Sequence, residues 1–171
     1  MERDGSGGRQ DRQAAEAAED AGVTIRRRRL ALLARVETAA LAEAVEQLGA
    51  TTAIPPYRLL KRPENGLAMV QARAGGGGAP FNFGEMTITR CVVSLEGDGI
   101  LGVGYVAGRD RRKAELVALC DALSQRSDWE PRLEAVLFQP ESRRQASFRA
   151  TREAQVSSTR VDFFTLVRGE D

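Results

Sequence analysis

Four consecutive glycines are the first feature of this sequence that could do chemistry. They occupy residues 75–78 in the stretch RAGGGGAPFNFGEMTITR, which runs from Arg73 to Arg90. Backbone N–H groups with no side chains around them can form a nest that holds a phosphate or another anion. A long hairpin connection, or a loop pressed against a neighbouring protein, would explain them equally well. A Walker A phosphate loop is excluded, because no Gly-Lys-Ser/Thr follows the glycines.

A cluster of cations follows in the segment GRDRRKAEL, residues 108–116. These cations would crowd the start of a helix, where the macrodipole already places about half a positive charge. A phosphate or an acidic partner surface would offset that charge. A solvated charge run, with Asp110 as local compensation and helix N-cap, is the alternative. The cations are Arg109, Arg111, Arg112 and Lys113.

Two other arginine features need an explanation. Arg90 shares a strand face with Met86 and Val92, so its guanidinium either extends to the rim or pairs with a specific anion. That anion could be a substrate phosphate or a carboxylate of another chain. The block Arg26–Arg29 begins a helix with the wrong charge for its dipole, which predicts a solvated end or a partner contact.

Composition excludes several classes of protein. The chain has no histidine, and its two cysteines, Cys91 and Cys120, are far apart, so we expect no zinc site and no metal bound by this chain. Its 25 basic and 24 acidic residues favour neither a nucleic-acid binder nor a membrane binder. No segment resembles a signal peptide, and two cysteines fit a reducing cytoplasm. No catalytic triad or carboxylate pair can be assembled from the sequence.

Periodicity predicts the elements that would position these residues. Residues 1–23 are polar and predict a disordered tail, followed by one domain over 24–169. In the first half of the chain, the predicted elements are a helix from near Thr24 to Gly49 and a short element after Pro55-Pro56 that ends at Pro63. Strands follow at 67–73, 85–95 and 100–107, and then a helix at 110–125. A further helix near 128–139 is separated by Pro140 from a helical segment at 141–156.

The segment Gly97-Asp98-Gly99 is a strong hairpin signal between two of these strands. With Asp98 and Gly99 as turn residues, Leu95 would lie opposite Gly102, which leaves one face of the third strand nearly bare. Such glycines permit close approach of another backbone or of a ligand. They resemble a dinucleotide fingerprint only weakly, because they lie inside a strand rather than in a strand-to-helix turn.

The order of elements predicts an α+β fold built on an antiparallel sheet, with N-terminal and C-terminal helices. The sheet would contain the hairpin Glu85–Ala107 and a C-terminal strand, Val161–Arg168. That last strand has apolar residues on both faces, which indicates a central strand or one covered by another chain.

Three blocks of the sequence resemble the PhnG family, the small subunit of the bacterial carbon–phosphorus lyase core complex. They are PENGLAMVQARAGGGGAPFNFGEMTITR, GYVAGRDRRKAELVALCDAL and TRVDFFTLVRG. The resemblance extends from about Arg26 to Gly169 without large gaps. Two positions depart from the family pattern: Arg29 stands where an aromatic is expected, and Gly77 stands where threonine is frequent.

The resemblance implies an accessory subunit of a cytoplasmic transferase complex containing two copies each of PhnG, PhnH, PhnI and PhnJ. That complex would transfer the ribose 5-triphosphate moiety of ATP to a phosphonate such as methylphosphonate, with release of adenine. ATP would be a co-substrate of the complex, and this chain alone would bind no cofactor. The resemblance places the principal active-site residues on the larger subunits. The candidate substrate or interface residues of this chain are Arg73, Gly75, Gly76, Gly78, Asn82, Glu85, Thr89, Arg90, Arg109 and Asp110.

Two other functions remain open at this level. A stand-alone nucleotide- or phosphate-binding module would use the glycine loop together with the cations at 109–113. An RNA-contacting protein would use the basic helix ends, but the near-zero net charge and the lack of interleaved aromatics argue against it.

Overall fold

Helices flank a three-stranded antiparallel sheet in the computed structural model, which describes residues 7–74 and 77–158, with side chains from residue 19 onwards. The strands lie in the order β1-β2-β3, which confirms the predicted α+β class. The predicted C-terminal strand Val161–Arg168 lies outside the described residues. The elements in chain order are α1 (Gly7–Leu33), α2 (Thr38–Thr51), β1 (Tyr57–Arg73), β2 (Pro80–Leu95), β3 (Leu101–Ala107), α3 (Arg111–Leu123), α4 (Glu130–Leu133), a π-helical turn (Glu134–Phe138) and α5 (Gln139–Ser158).

The first helix begins earlier than the sequence predicted, at Gly7 rather than near Thr24. Residues 13–18, QAAEAA, are strong helix formers and account for the earlier start. Residues 19–25 are exposed, so this part of α1 contributes no side chain to the core. The division of the chain into a tail over 1–23 and one domain over 24–169 stays a prediction.

The predicted single helix up to Gly49 is wrong, because α1 ends at Leu33 and α2 begins at Thr38. Residues 34–37 form a turn in which the Val36 N–H donates to the Leu33 carbonyl at 3.2 Å. A straight helix from Thr24 to Gly49 would be about 39 Å long and could not pack all its apolar residues on one small sheet. The turn instead lets both helices bury their leucines in one core.

Strand β1 runs over Tyr57–Arg73 as one element, where the sequence predicted a short helical element ending at Pro63 and then a separate strand. Its pairing with β2 is irregular on both sides of Lys61, up to Glu64. Pro63 lies within the second irregularity, where its missing N–H removes no ladder hydrogen bond. The proline therefore marks a bulge in an edge strand rather than the end of an element.

The β2–β3 hairpin has a four-residue turn, Glu96–Gly99, instead of the predicted two-residue turn. The Leu95 N–H donates to the Ile100 carbonyl at 2.9 Å and closes it, and both glycines of the turn have positive φ. The ladder is shifted by two residues from the predicted one. Because the shift is even, every side chain keeps its predicted face. The pairs are Val93 with Gly102, Cys91 with Gly104 and Arg90 with Tyr105.

Helix α3 lies directly against the two glycines of β3. A Cβ atom at Gly102 would lie 2.0 Å from the Ala118 carbonyl oxygen, and one at Gly104 would lie 1.9 Å from that of Ala114. Both distances are far inside van der Waals contact, so the helix backbone occupies the space that a side chain would need. The glycines therefore serve helix–sheet packing, and the weak resemblance to a dinucleotide fingerprint has no structural support.

One hydrophobic core joins the sheet face under α3 to the remaining helices. The predicted stripe on α3 is buried, and its neighbours are buried as well, because helices and sheet enclose α3 on several sides. Pro140 does not separate two helices. It lies just after the π-helical turn Glu134–Phe138, and such turns accommodate a residue that cannot donate a helix hydrogen bond. The C-terminal helical segment contributes Trp129, Leu133, Leu137 and Phe138 to this core.

The α3–β3 contact predicts the effect of adding one methyl group. We expect Gly104→Ala to lower the free energy of unfolding by about 3 kcal/mol, because the helix backbone must move to admit the Cβ atom. The control is Gly84→Ala on β2, where nothing lies within 4 Å of the added methyl; it should change stability by less than about 0.5 kcal/mol. Urea denaturation measures both, and equal effects would contradict the packing role of Gly104.

Candidate functional site

The residues predicted from the sequence to contact substrate or a partner lie in three separate places. One group lies on the distal part of the β1–β2 ribbon, Arg90 lies on the sheet face away from α3, and the third group lies at the start of α3. Asn82 and Thr89 are seven positions apart on one strand, or about 23 Å. The three groups therefore do not form a single site. The ribbon group is Arg73, Gly78, Asn82 and Glu85; the group at α3 is Thr89, Arg109 and Asp110.

The glycine loop connects β1 to β2, as the hairpin interpretation predicted. Gly75 and Gly76 lie outside the described residues. The Arg73 guanidinium donates to the Gly78 carbonyl at 3.2 Å, and the Gly78 N–H donates to the Ala74 carbonyl at 3.1 Å. A Cβ atom at Gly78 would lie 2.8 Å from that same carbonyl oxygen, so glycine is required there by the close turn.

Asn82 and Glu85 lie on β2 within this ribbon. Asn82 is paired with Gln71 on β1, and the Gln71 side-chain amide donates to the side-chain oxygen Oδ1 of Asn82 at 3.5 Å. Glu85 lies opposite Met69 and is exposed. Glu85 takes part in none of the ion pairs among the described side chains.

Arg90 pairs with a carboxylate of its own chain. Its Nε donates to Glu64 Oε1 at 2.6 Å across the ladder, and Lys61 Nζ lies 2.9 Å from the same oxygen. Hydrogen bonds from Lys61 and Arg90 hold the pKa of Glu64 below its ordinary value. All three side chains are exposed, so the cluster adds little stability, and the pairing with Glu64 answers the question that Arg90 raised in the sequence.

Thr89, Gly108 and Asp110 build the junction between β3 and α3. The buried Thr89 hydroxyl donates to the Gly108 carbonyl at 2.7 Å. Asp110 caps α3 by accepting from the Lys113 N–H at 2.8 Å, and it also accepts from the Thr38 hydroxyl at 2.6 Å. These bonds lower the pKa of Asp110. Both residues thus contribute to the fold, and Asp110 is the predicted N-cap.

Exposed apolar side chains are concentrated on the distal part of the β1–β2 ribbon. Strand β3 ends opposite Ile88, so beyond that point the ribbon has only two strands and no helix against it in the described part of the chain. Phe83 is 73% exposed, and the Phe81 ring lies edge-on to it at 6.4 Å. Apolar patches of this kind mark interaction surfaces. We call this two-stranded segment the apolar ribbon. Its exposed apolar residues are Leu67 and Met69 on one face, Phe81 and Met86 on the other, and Phe83 next to Phe81.

Arg26 anchors α1 to the domain, a role that the sequence did not reveal. Its Nε and Nη2 donate to the two carboxylate oxygens of Asp121 at 3.0 and 2.7 Å. Asp121 is 1% exposed and also accepts from the Val103 N–H at 2.9 Å. One buried carboxylate thus joins α1, β3 and α3. An aspartate in the apolar stripe of α3 was the signal in the sequence that could have revealed this pair.

Arg29 also serves the fold, although it was considered a departure from the family pattern. It lies 2.7 Å from Glu130 and 3.4 Å from Glu134, and its guanidinium lies over the Phe138 ring, 5.1 Å from the centroid. The arginine therefore occupies an aromatic environment and holds α1 against the C-terminal helices.

The two buried thiols and the half-buried tyrosine Tyr57 are held in their neutral forms. Burial raises the pKa of Cys91 to about 11 and that of Cys120 to about 12. Burial, reinforced by the hydrogen bond to Glu115 at 2.8 Å, raises the pKa of Tyr57 to about 12. None of them is activated for nucleophilic chemistry. Within residues 7–74 and 77–158, no cluster of His, Cys, Asp or Glu could hold a metal ion.

These features define a small α+β protein whose polar side chains mainly stabilise its own fold and which exposes one apolar ribbon. No helix of the described chain is long and apolar enough to cross a membrane. Comparison with known proteins identifies the family to which this α+β protein belongs. A family model for "Phosphonate metabolism protein PhnG" matches residues 24–169, and the chain belongs to that family.

A curated relative agrees with this assignment over almost the whole chain. The chain is 42% identical over 158 residues to the alpha-D-ribose 1-methylphosphonate 5-triphosphate synthase subunit PhnG of Rhizobium meliloti (strain 1021). The aligned region covers 92% of this chain and 98% of the relative. The relative is thus a subunit of a synthase, which is consistent with an exposed interaction surface on this chain.

The Arg26–Asp121 pair predicts a large stability effect at a position without catalytic chemistry. We expect Asp121→Ala to lower the free energy of unfolding by about 3 kcal/mol, because it leaves the Val103 N–H and part of Arg26 without an acceptor. Asp128→Ala, which removes an exposed carboxylate paired with Arg126, should cost less than about 1 kcal/mol. Denaturation of both variants gives the comparison, and a smaller loss for Asp121→Ala than for Asp128→Ala would refute the anchor.

The raised pKa values of Tyr57, Cys91 and Cys120 predict a loss of stability at alkaline pH. Each group keeps its proton more tightly in the folded chain than in the unfolded chain, so its contribution is complete below about pH 9. That contribution decreases as the pH rises toward 11–12, the range of the folded pKa values. Urea titrations between about pH 8 and 11 should show falling midpoints. Tyr57→Phe should flatten the upper part of this dependence, and an unchanged profile would contradict the assignment.

Proposed function

We propose that this chain is an accessory subunit of an α-D-ribose 1-methylphosphonate 5-triphosphate synthase complex. In this proposal the complex transfers the ribose 5-triphosphate moiety of ATP to a phosphonate and releases adenine. The partners are PhnH-, PhnI- and PhnJ-type subunits, two copies of each with two of this chain, in the cytoplasm. Family membership and the name of the relative support the reaction class.

The apolar ribbon is the observation that carries the subunit role. Aromatic rings with large exposed areas are unfavourable in water, and a chain that kept them exposed would tend to aggregate. A two-stranded ribbon also gains little stability from its own pairing. A partner that covers the ribbon would remove both problems, and the hydrophobic side chains of Phe81 and Phe83 would supply central anchors for that interface.

We infer an accessory rather than a catalytic role from the contacts of the polar residues. Thr89, Arg90 and Asp110 are bonded within the chain, and the hydroxyls of Thr38 and Tyr57 that donate to carboxylates lie in the contacts between α2, β1 and α3. The glycine loop lies at the end of the same ribbon, so a partner bound there would also contact Arg73 and Asn82. We therefore assign the loop to the subunit interface.

A stand-alone nucleotide-binding module built from the glycine loop and the cations at 109–113 is not favoured. The cations follow Gly108, which is bonded to Thr87 and Thr89 in the middle of strand β2, whereas the glycine loop precedes the first residue of that strand, Pro80. The intervening strand is about 23 Å long. Asp110 and Glu115 also compensate part of the cation cluster locally. One nucleotide cannot use both features in the way that this function requires.

The test is co-expression of the tagged chain with PhnH-, PhnI- and PhnJ-type proteins from one phosphonate operon. We expect a stable complex that releases adenine from ATP only when a phosphonate is added. Phe81→Ser with Phe83→Ser should reduce recovery of the partners by about tenfold, since a buried aromatic anchor contributes about 2 kcal/mol or more. Adenine release per recovered complex should stay unchanged, because neither ring belongs to a reacting site.

Val23→Ser is the matched control, since Val23 is an exposed apolar residue of α1, far along the chain from the ribbon. It should leave partner recovery unchanged. A chain that purifies alone from the co-expressing cells would refute the subunit role. Equal recovery with the ribbon variant and with the control would refute the ribbon as the interface.

A further inference from the structure

A groove lined by arginines runs between α1 and α5, away from the apolar ribbon. It consists of two adjoining cavities of about 470 and 670 Å³ that share Arg35, Gln145 and Arg149 as lining residues. Volumes of this size are typical of small-molecule sites. Four arginines and one glutamate line the smaller cavity, so its charge is strongly positive although the whole chain carries only +1.

Several of the groove arginines have no acidic partner among the described side chains, which are those of residues 19–74 and 77–157. Arg144 is bonded to Glu141, and Arg35 donates only to the carbonyl of Ala31 in its own helix. Like charges that line one cavity repel each other, so such an arrangement is unfavourable unless an anion offsets it. The arginines for which the described chain shows no ion pair are Arg28, Arg35, Arg149 and Arg152.

An aromatic ring lies on the wall of the same groove. Phe148 is 67% exposed and lines the smaller cavity together with Arg149 and Arg152. A guanidinium binds a phosphate through two parallel N–H donors, and an exposed ring offers a stacking surface to a planar base. Gln145 adds a second polar feature, because its Oε1 is buried with no donor in the described chain.

We propose that this groove binds a nucleoside triphosphate, with the phosphates on Arg149, Arg152 and Arg35 and the base against Phe148. The preference for an anion follows from the arginines themselves. The choice of a triphosphate rests on the proposed function, whose substrate carries one. The groove would thus be a nucleotide site contributed by the accessory subunit, formed by residues that the glycine loop and the cations at 109–113 do not include.

Direct binding to the full-length purified chain tests the proposal by calorimetry at about 50 mM salt, where screening is weak. ATP should bind more tightly than inorganic triphosphate, and adenosine alone should bind weakly. Arg149→Gln with Arg152→Gln should weaken ATP binding by at least about tenfold, through the loss of charge-assisted hydrogen bonds. Phe148→Ala should weaken ATP binding about fivefold and leave inorganic triphosphate unaffected.

Arg143→Gln is the matched control, because Arg143 is exposed on α5 and lines neither cavity. It should retain the affinity of the unaltered chain. Loss of binding in the control equal to that of the double variant would overturn the proposal, as would no heat with any nucleotide. Tighter binding of a decaglutamate peptide than of ATP would also overturn it, in favour of an acidic protein segment. Partner recovery and adenine release are measured separately, so failure here leaves the proposed function standing.

Discussion

The contact between α3 and the two glycines of β3 is the constraint on which the rest of the structure depends. Because no Cβ atom separates them, the helix backbone lies closer to the sheet than side chains would otherwise allow. That distance determines where the buried face of α3 meets the strands, and it brings Asp121 within reach of the β3 backbone. Helix α1 is then positioned by Arg26 on the same carboxylate.

Arginine has three different roles in this protein. Arg26 and Arg29 connect α1 to the domain through carboxylates on distant parts of the chain. Arg90 and Arg126 pair on the surface, where ion pairs contribute little. Four arginines of the α1–α5 groove, Arg28, Arg35, Arg149 and Arg152, form no ion pair with the described side chains. A near-zero net charge conceals this distribution, because acidic residues neutralise the arginines unevenly across the molecule.

The sequence allowed prediction of local features but not of long-range pairings. Asp110 as a helix cap and the hairpin at Gly97–Gly99 depend on neighbouring residues, and both are confirmed. The role of Asp121 could not be predicted, because its partner Arg26 is 95 positions away. The pairing of Arg90 with Glu64 was missed for a related reason. The strand that carries Glu64 was interrupted at Pro63 in the prediction, so the two residues were not placed opposite each other.

The irregular stretch around Pro63 also affects self-association of the protein along the edge of its sheet. Strand β1 is an edge of the sheet, and a regular edge next to exposed phenylalanines would invite a second chain to add its strand there. A proline and two bulges interrupt the row of free donors and acceptors along that edge. This arrangement disfavours the addition of a second strand along Leu59–Glu64, so edge-to-edge pairing between copies is confined to the regular part of the strand, Glu64–Val70.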